Sequence, residues 1–546
     1  MRIGKTEELW QTFQDNASQL QQWSIHQIVD HLREDLHFLE AEETHRAPSI
    51  AHRVPAPLKD IPYDDTRGIY HPENVEHVQR LVQYAASNGV VIRNAGAEHS
   101  RQEAIFTQAA TDMRVILDGD LRQFTQFVVE PGPGTALITV GAGCYLGVNP
   151  MDKASTLENS LDYQLDEKGY ALPVLGGMSH QSLAGFLLTG SAGGSYAHGF
   201  ADAVEQIDLV NGQGEVVALQ KGTDEFNAAG VSMGLFGIVT GVTLRVGQRY
   251  FVEGTEENKQ FEDSFLAPDA GGQGTKTYSK LKNALRENEY IHMNWFPQKY
   301  VRRVMQWTGK RVSPDQQLVP YKHELQDPFM NVLAAAVLFA ANGTLSMYPG
   351  SDLNYRLVGW LLGNFVPLGK PPQRFCDLWY RALPVDDQAQ IDTLIKTDFT
   401  ELWSPVEGID QALAILEEMY EDQTIAGNFA CELYVAKQSP FWLSPAYGHD
   451  VFRIDPYWWA HNPHGTPEEY FTHFWNRLLD IDGTRLHWGK YVPKPGQKCG
   501  NTIFNLEYLQ RLYPKLGEWL RIRDRMDPKQ IFLSDYWRRI FEIAKP

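Results

Sequence analysis

The sequence predicts an α+β fold, and three stretches carry that reading. HPENVEHVQRLVQYAASNG, from His71, places Val75, Val78, Leu81, Val82 and Ala85 on one helical face and runs into the strand VVIRNAG. Pro72 sits near the start of this helix and Asn88-Gly89 ends it. AVEQIDLVNGQGEVVAL, residues 203–219, reads as strand, turn and strand, with the turn at Asn211-Gly212-Gln213-Gly214. After Val246 the texture changes, and strands such as YIHMNWFP (290–297) and VRRVMQWTG (301–309) alternate with helices.

In chain order, Leu9, Trp10, Phe13, Leu20, Trp23, Ile28 and Leu32 recur at helical spacing, which predicts an N-terminal helical extension over 1–50. Pro55, Pro57 and Pro62 then mark an extended crossing. MRVILD (113–118), FVVE (127–130) and ALITVGAG (136–143) are short strands, and 144–168 reads as a polar connection. YALPVL leads into a glycine-rich loop, and GLFGIVTGVTLRV (234–246) is a β-branched strand that closes a unit spanning 51–250. A second unit, 251–485, opens with a loop-rich stretch (252–285) and carries a helical insertion near 326–390. Residues 486–546 form a C-terminal segment, with LEYLQRLYPKLGEWLRIRDRMDP as one helix ended by Pro528.

Composition narrows the function. Of 546 residues, 43% are hydrophobic and 21% charged, which is ordinary for a soluble globular protein. The formal charge of -19 argues against a nucleic-acid partner and gives no basic patch for an anionic membrane. Cys144, Cys376, Cys431 and Cys499 are far apart, so neither a disulfide framework nor a metal site is expected. The polar N-terminus lacks a signal-peptide core, and the run 332–341 is too short to span a bilayer, so a cytoplasmic protein is expected. The oligomeric state stays open.

Gly176 to Ser195, GGMSHQSLAGFLLTGSAGGS, is rich in glycine and hydroxyl residues yet holds apolar patches, so it is buried rather than a linker. Its backbone N–H groups can form a concave nest for phosphate oxygens; the alternative is a tight turn region packed in a core. Upstream, the strand VVIR runs into a glycine loop containing His99. Neither loop matches G-x-G-x-x-G, because Gly141-Ala142-Gly143 is followed by Gly147, one residue too late. A dinucleotide bound here is bound outside a Rossmann fold.

The order of Arg93-Asn94-Ala95-Gly96-Ala97-Glu98-His99-Ser100, Ser179 to Gly194 and Gly234 to Leu244 resembles the FAD-binding domain of the vanillyl-alcohol-oxidase, or PCMH-type, flavoprotein family. In the C-terminal half, Phe441 to Gly448, His487-Trp488-Gly489-Lys490 and Asp527-Pro528 with Phe532 resemble the aldonolactone oxidase and alditol oxidase branch. The resemblance implies two α+β subdomains holding FAD, and a cap domain with an antiparallel sheet and flanking helices. It implies cofactor contacts from Asn94, Ala95, Gly96, Ala97, Glu98, His99 and Ser100 in the first loop. The second loop would add Gly177, Met178, Ser179, Ser182, Gly185, Thr189, Gly190, Ala192 and Gly193, with Ile238, Val239 and Lys490 completing the set. His99 matches the residue that carries FAD covalently in relatives; its alternative is a histidine that only hydrogen-bonds. Lys168 to Gly177 holds no cysteine, so a second covalent bond is not expected. Ala192 departs from the family's T-G-T-H-G, where histidine is frequent.

On the substrate side, the resemblance assigns Lys490 to the active site, with His487 as its orienting partner or a proton acceptor, and Ser182 to a substrate contact. Glu432 matches the carboxylate of E-x-R in alditol oxidases, while Tyr434 stands in place of the arginine and Tyr457 in place of a threonine. The expected pocket has fewer fixed donors and more apolar surface, which favours a lactone, a glycoside or a more hydrophobic alcohol over xylitol or sorbitol. Surface roles for Glu432 and Lys490 are the plain alternatives. The function implied is hydride transfer from a hydroxyl carbon of a sugar-like substrate to flavin N5, with O2 reoxidising the flavin to give H2O2. Two rivals stay open: a dehydrogenase or redox epimerase subunit with another acceptor, and a flavin-free binding protein on a decayed enzyme fold. The insertion at 326–390 leaves a membrane or subunit contact open, although membrane contact is not expected.

Overall fold

A computed structural model describes residues 54–546 except 108, 110, 131–133, 270–275, 323–351, 385–396, 428–429 and 460–464. The helical extension expected over 1–50 and the apolar run at 332–341 lie outside the described residues. The first sheet contains β1 (Tyr63–Asp64), β2 (Ile69–Tyr70), β3 (Ile92–Ala95) and β4 (Met113–Ile116), in the order β1-β2-β4-β3. Strand β4 runs parallel to β2 and β3. Between β2 and β3 lies α1 (Val75–Asn88), where the apolar spacing put it. The Asn74 side chain accepts the His77 N–H at 2.9 Å, and Gly89 ends the helix at φ 64. An asparagine cap and a left-handed glycine are the ends such a helix needs.

The second sheet is antiparallel: β5 (Phe124–Val129), β6 (Thr135–Gly141), β7 (Tyr170–Ala171), β8 (Val204–Asn211), β9 (Val216–Gln220) and β10 (Gly237–Gln248). Its order is β5-β6-β10-β8-β9, with β7 beside β10. The predicted hairpin is β8-β9, closed by the Gly214 N–H to the Asn211 carbonyl at 2.9 Å. Two readings need correction. The polar connection at 144–168 contains α2 (Leu161–Glu167), too short to show a period. The glycine-rich loop contains α3 (Leu183–Leu188), capped by Ser182 and buried at Leu183, Ala184, Phe186, Leu187 and Leu188.

The third sheet holds β11 (Phe251–Gln260), β12 (Tyr290–Phe296), β13 (Arg303–Val312), β14 (Gln373–Leu378), β15 (Thr397–Phe399), β16 (Leu402–Pro405), β17 (Cys431–Ala436), β18 (Val451–Trp459) and β19 (Arg485–Leu486). The order is β14-β11-β13-β12-β17-β18-β16-β19, with β15 beside β18. The loop-rich reading of 252–285 is corrected: β11 is a ten-residue strand paired on both sides, and α4 (Ser279–Glu287) follows. FVEGTEENKQ has too few apolar residues to show alternation, and its pairing comes from its neighbours. Within 326–390, α5 (Asp352–Phe365) is helical, but Gln373–Leu378 is a strand of the sheet, and much of the rest lies outside the described residues. Helices α6 (Ile409–Tyr420) and α7 (Pro467–Leu478) pack on this sheet.

The single C-terminal helix of the sequence reading is two, α8 (Leu506–Leu512) and α9 (Leu516–Met526), followed by α10 (Asp535–Phe541). Pro514 lies in the break; it lacks an N–H and clashes with the preceding turn. This segment packs back on the first two sheets. Trp519 Nε1 donates to the Ala228 carbonyl and Trp537 Nε1 to the Ala104 carbonyl, each at 2.9 Å. Among the described residues, no helix is long and apolar enough to cross a membrane.

Candidate flavin and substrate site

The loop leaving β3 and the start of α3 face each other across a narrow cleft. A Cβ on Gly96 would lie 1.9 Å from Ser182 Oγ, so only glycine permits this approach. Ser182 Oγ in turn accepts the Gly185 N–H at 3.2 Å and starts α3. The cleft is lined by residues 94–100 together with Ser182, Gly185, Thr189 and Val239. Eight of the expected cofactor residues do not line it, and four of these line neither it nor the wider cavity beyond it. Ser179 is buried with its carbonyl taken by the Gly147 N–H, and Gly190 backs onto Val231 and Pro445. Gly193 is where the chain passes Leu175, since a Cβ there would lie 2.0 Å from the Leu175 carbonyl oxygen. Ile238 points into the core because successive side chains of a strand alternate, which leaves Val239 facing the cleft.

Arg93 lines the same cleft, although the sequence reading gave it no role. Its Nη1 donates to the Phe532 carbonyl at 3.0 Å, and its Nη2 donates to the Ala104 and Met233 carbonyls at 2.8 Å. It thereby ties β3, the approach to β10 and the C-terminal segment together. Glu98 adopts φ 59, a strained conformation for a non-glycine residue, and its carboxylate pairs with Arg67. The His99 ring packs on His180 with centroids 4.2 Å apart. Burial pushes both imidazoles down, His180 to about 4, and for His99 the His180 and Lys490 charges add to the effect.

At Glu98, His99, Ser100, Gln181 and Gly489 the cleft opens into a wider cavity of ≈ 580 Å³. Gly177, Met178 and Ala192 form one side of it, and Glu432, Tyr434, Tyr457 and Lys490 another. Strands β17 and β18 bring the carboxylate and phenols together, and the Tyr457 hydroxyl donates to Glu432 Oε2 at 2.9 Å. Lys490 Nζ donates to the His99 carbonyl at 3.5 Å and stands 3.6 Å over the Phe399 ring. His487 does not line the cavity. It lies buried behind it, with Nδ1 accepting the Gly489 N–H at 3.1 Å and Nε2 3.4 Å from Ser191 Oγ. Ser182 lines the narrow cleft and not the wider cavity, because its hydroxyl caps α3.

The expectation of a lost guanidinium is also corrected. Arg453 lines the cavity from β18, directly opposite Tyr434 in register, with its guanidinium 3.8 Å over the Tyr434 ring. It is anchored to Glu401 at 2.7 Å, to Asp455 at 3.0 Å and to the Ala192 carbonyl at 2.7 Å. Sequence spacing alone could not pair residues from two different strands.

The cluster therefore holds three carboxylates and two cations. Burial pushes Glu432 up to about 7, against the pull of Arg453 and the Tyr457 hydrogen bond. Burial also drives Asp455 well above the usual carboxylate range. At Glu401 burial acts the same way but is outweighed by His487, Arg453 and Lys490, which hold it down at about 2. Burial, with Glu401 opposing, lowers His487 to about 4.

The cleft fits FAD. It offers main chain at close range around Gly96, hydroxyls from Ser100, Ser182 and Thr189, and the buried Asn94 Oδ1 and His99 Nε2, which have no hydrogen-bond partner among the described residues. Fold and site together define a PCMH-type FAD-binding protein. A family model for an FAD-binding domain matches residues 66–220, and one described as D-arabinono-1,4-lactone oxidase matches residues 267–540, half of the chain. The chain belongs to the D-arabinono-1,4-lactone oxidase family. It is 28% identical over 247 residues to the D-arabinono-1,4-lactone oxidase of Kluyveromyces lactis, covering 45% of this chain but only 41% of that protein. The L-gulono-1,4-lactone dehydrogenase of Mycobacterium tuberculosis is 24% identical, over 86% of this chain and 95% of that one. The L-gulonolactone oxidase of Scyliorhinus torazame is 22% identical over 86% and 94%. A crystal structure of cholesterol oxidase from B. sterolicum shares the fold, with a TM-score of 0.64, 14% identity and coverage of 87% and 94%.

Proposed function

We propose that this protein is an FAD-dependent oxidase that removes hydride from a hydroxyl carbon of a sugar lactone. The observation that carries the reading is the convergence of Glu432, Tyr457, Arg453 and Lys490 on one cavity that continues into the glycine-lined cleft. Bound FAD supplies the hydride acceptor. Glu432, ionised above about 7, takes the hydroxyl proton, and Tyr457 holds that carboxylate in place. Arg453 and Lys490 hold the lactone oxygens and balance the negative charge that develops during transfer. Tyr434 and Phe399 supply the apolar walls that suit a ring rather than an open polyol. His99 is the residue through which FAD would be covalently attached.

Oxygen is the proposed acceptor, in line with the oxidases among the relatives. A dehydrogenase reading is favoured by the match that spans 95% of the Mycobacterium tuberculosis protein. Peroxide release on a panel of aldonolactones in air tests the first. Lactone-dependent reduction of an artificial dye, with no peroxide formed in air, would favour the second. No turnover of any lactone, by either readout, would remove both.

A further inference from the structure

Two imidazoles meet where the cleft joins the cavity, and the reaction just described uses only one of them. Their ring centroids are 4.2 Å apart at an interplanar angle of 56°. His180 is 3% exposed, and both its Nδ1 and the His99 Nε2 are buried without a hydrogen-bond partner among the described residues. An orphaned buried nitrogen is destabilising, and two of them on contacting rings ask for a purpose other than stability. The loop that carries His99 is held beside this contact by the strained Glu98, at φ 59, and by the Lys490 ammonium on the His99 carbonyl.

We propose that His180 is a positioning residue for His99, holding its imidazole in place and accepting its N–H proton as His99 becomes bonded to flavin. The inference rests on the reading that His99 is the attachment residue. The new bond joins a His99 ring nitrogen to the methyl carbon at flavin position 8. One proton leaves that methyl group and one leaves the His99 nitrogen. The electron pair passes to the flavin ring and from there to dioxygen, which departs with two protons as hydrogen peroxide. Among the described residues His180 Nδ1 has no hydrogen-bond partner, and its ring, in contact with that of His99, supplies the base for the imidazole proton. Burial keeps both rings neutral at pH 7, so His99 retains the lone pair that the bond requires and His180 the one that receives the proton.

The test follows bond formation itself rather than turnover. The full chain, produced with limiting flavin, is mixed with FAD in air, and acid-stable fluorescence is read on denaturing gels over time. Wild type is expected to become fluorescent and His99→Ala to stay dark. His180→Phe keeps a ring of similar size without nitrogens. It is expected to bind FAD and melt like wild type, yet to form the bond about a hundredfold more slowly, the usual worth of a positioned base. Added imidazole should speed the bond in His180→Ala and leave wild type unchanged. Wild-type rates in both His180 variants, no response to imidazole, or loss of FAD binding in both variants would overturn the proposal and leave His180 a packing residue. A wild-type band that stays dark from a yellow native sample would instead remove the His99 reading on which it rests.

Discussion

At the Glu432 carboxyl, burial and the cations around it pull in opposite directions, and burial wins, raising it to about 7. A base acts in its ionised form, so kcat/KM should rise with pH through about 7 and then level off. Glu432→Gln should remove this limb and lower kcat by about 10²- to 10⁴-fold. In Tyr457→Phe the hydrogen bond that favours the ionised carboxylate is gone, so the limb should move to higher pH. The same shift acts on stability. A carboxyl raised from 4.5 to about 7 binds its proton more tightly in the fold than in the unfolded chain, so its contribution falls as pH rises between those values. His99, Glu432 and Lys490 were legible because motif residues flank them on the chain. Arg453, Glu401 and Asp455 were not, because their meaning lies in a salt-bridge cluster that forms only when β15, β16 and β18 are side by side.

At the scale of elements, the approach of the β3 loop to α3 depends on a missing side chain. Gly96→Ala puts a methyl group 1.9 Å from Ser182 Oγ and must displace the cap of α3. Overpacking of this kind costs ~1–3 kcal/mol, which corresponds to roughly five- to 150-fold weaker FAD binding by titration of the full chain. The β17-β18 register makes a second prediction. Arg453→Leu strips the counter-charge from buried Glu401 and frees the Ala192 carbonyl, and should cost about 3–5 kcal/mol in urea unfolding. Elements with a strong period and clear caps, such as α1 and the β8-β9 hairpin, could be read directly from the residues. Strand β11 could not, because its polar residues are held by β13 and β14 rather than by a pattern of their own. Helix α3 was hidden by the glycines and hydroxyls around it, which describe the cleft wall better than the helix they frame.

In the whole molecule, the last sixty residues link the first two sheets to the third. Lys490 reaches the cavity, and Arg93 and Trp537 lock the C-terminal helices against the His99 loop and its strand. The change in texture near Val246 coincides with the passage from the second sheet to the third, but this return of the chain was legible only through the H-W-G-K motif. This arrangement would hold the reacting hydroxyl of the proposed lactone where the cleft joins the cavity. The decisive measurement is anaerobic mixing of the flavin-loaded protein with D-arabinono-1,4-lactone and L-gulono-1,4-lactone. The yellow flavin absorbance is expected to bleach with a lactone-dependent rate, to return on admitting air, and to bleach about 10²- to 10³-fold more slowly in Lys490→Met. A flavin that stays oxidised with both lactones, while the protein remains folded and fully loaded, would contradict the proposed reaction.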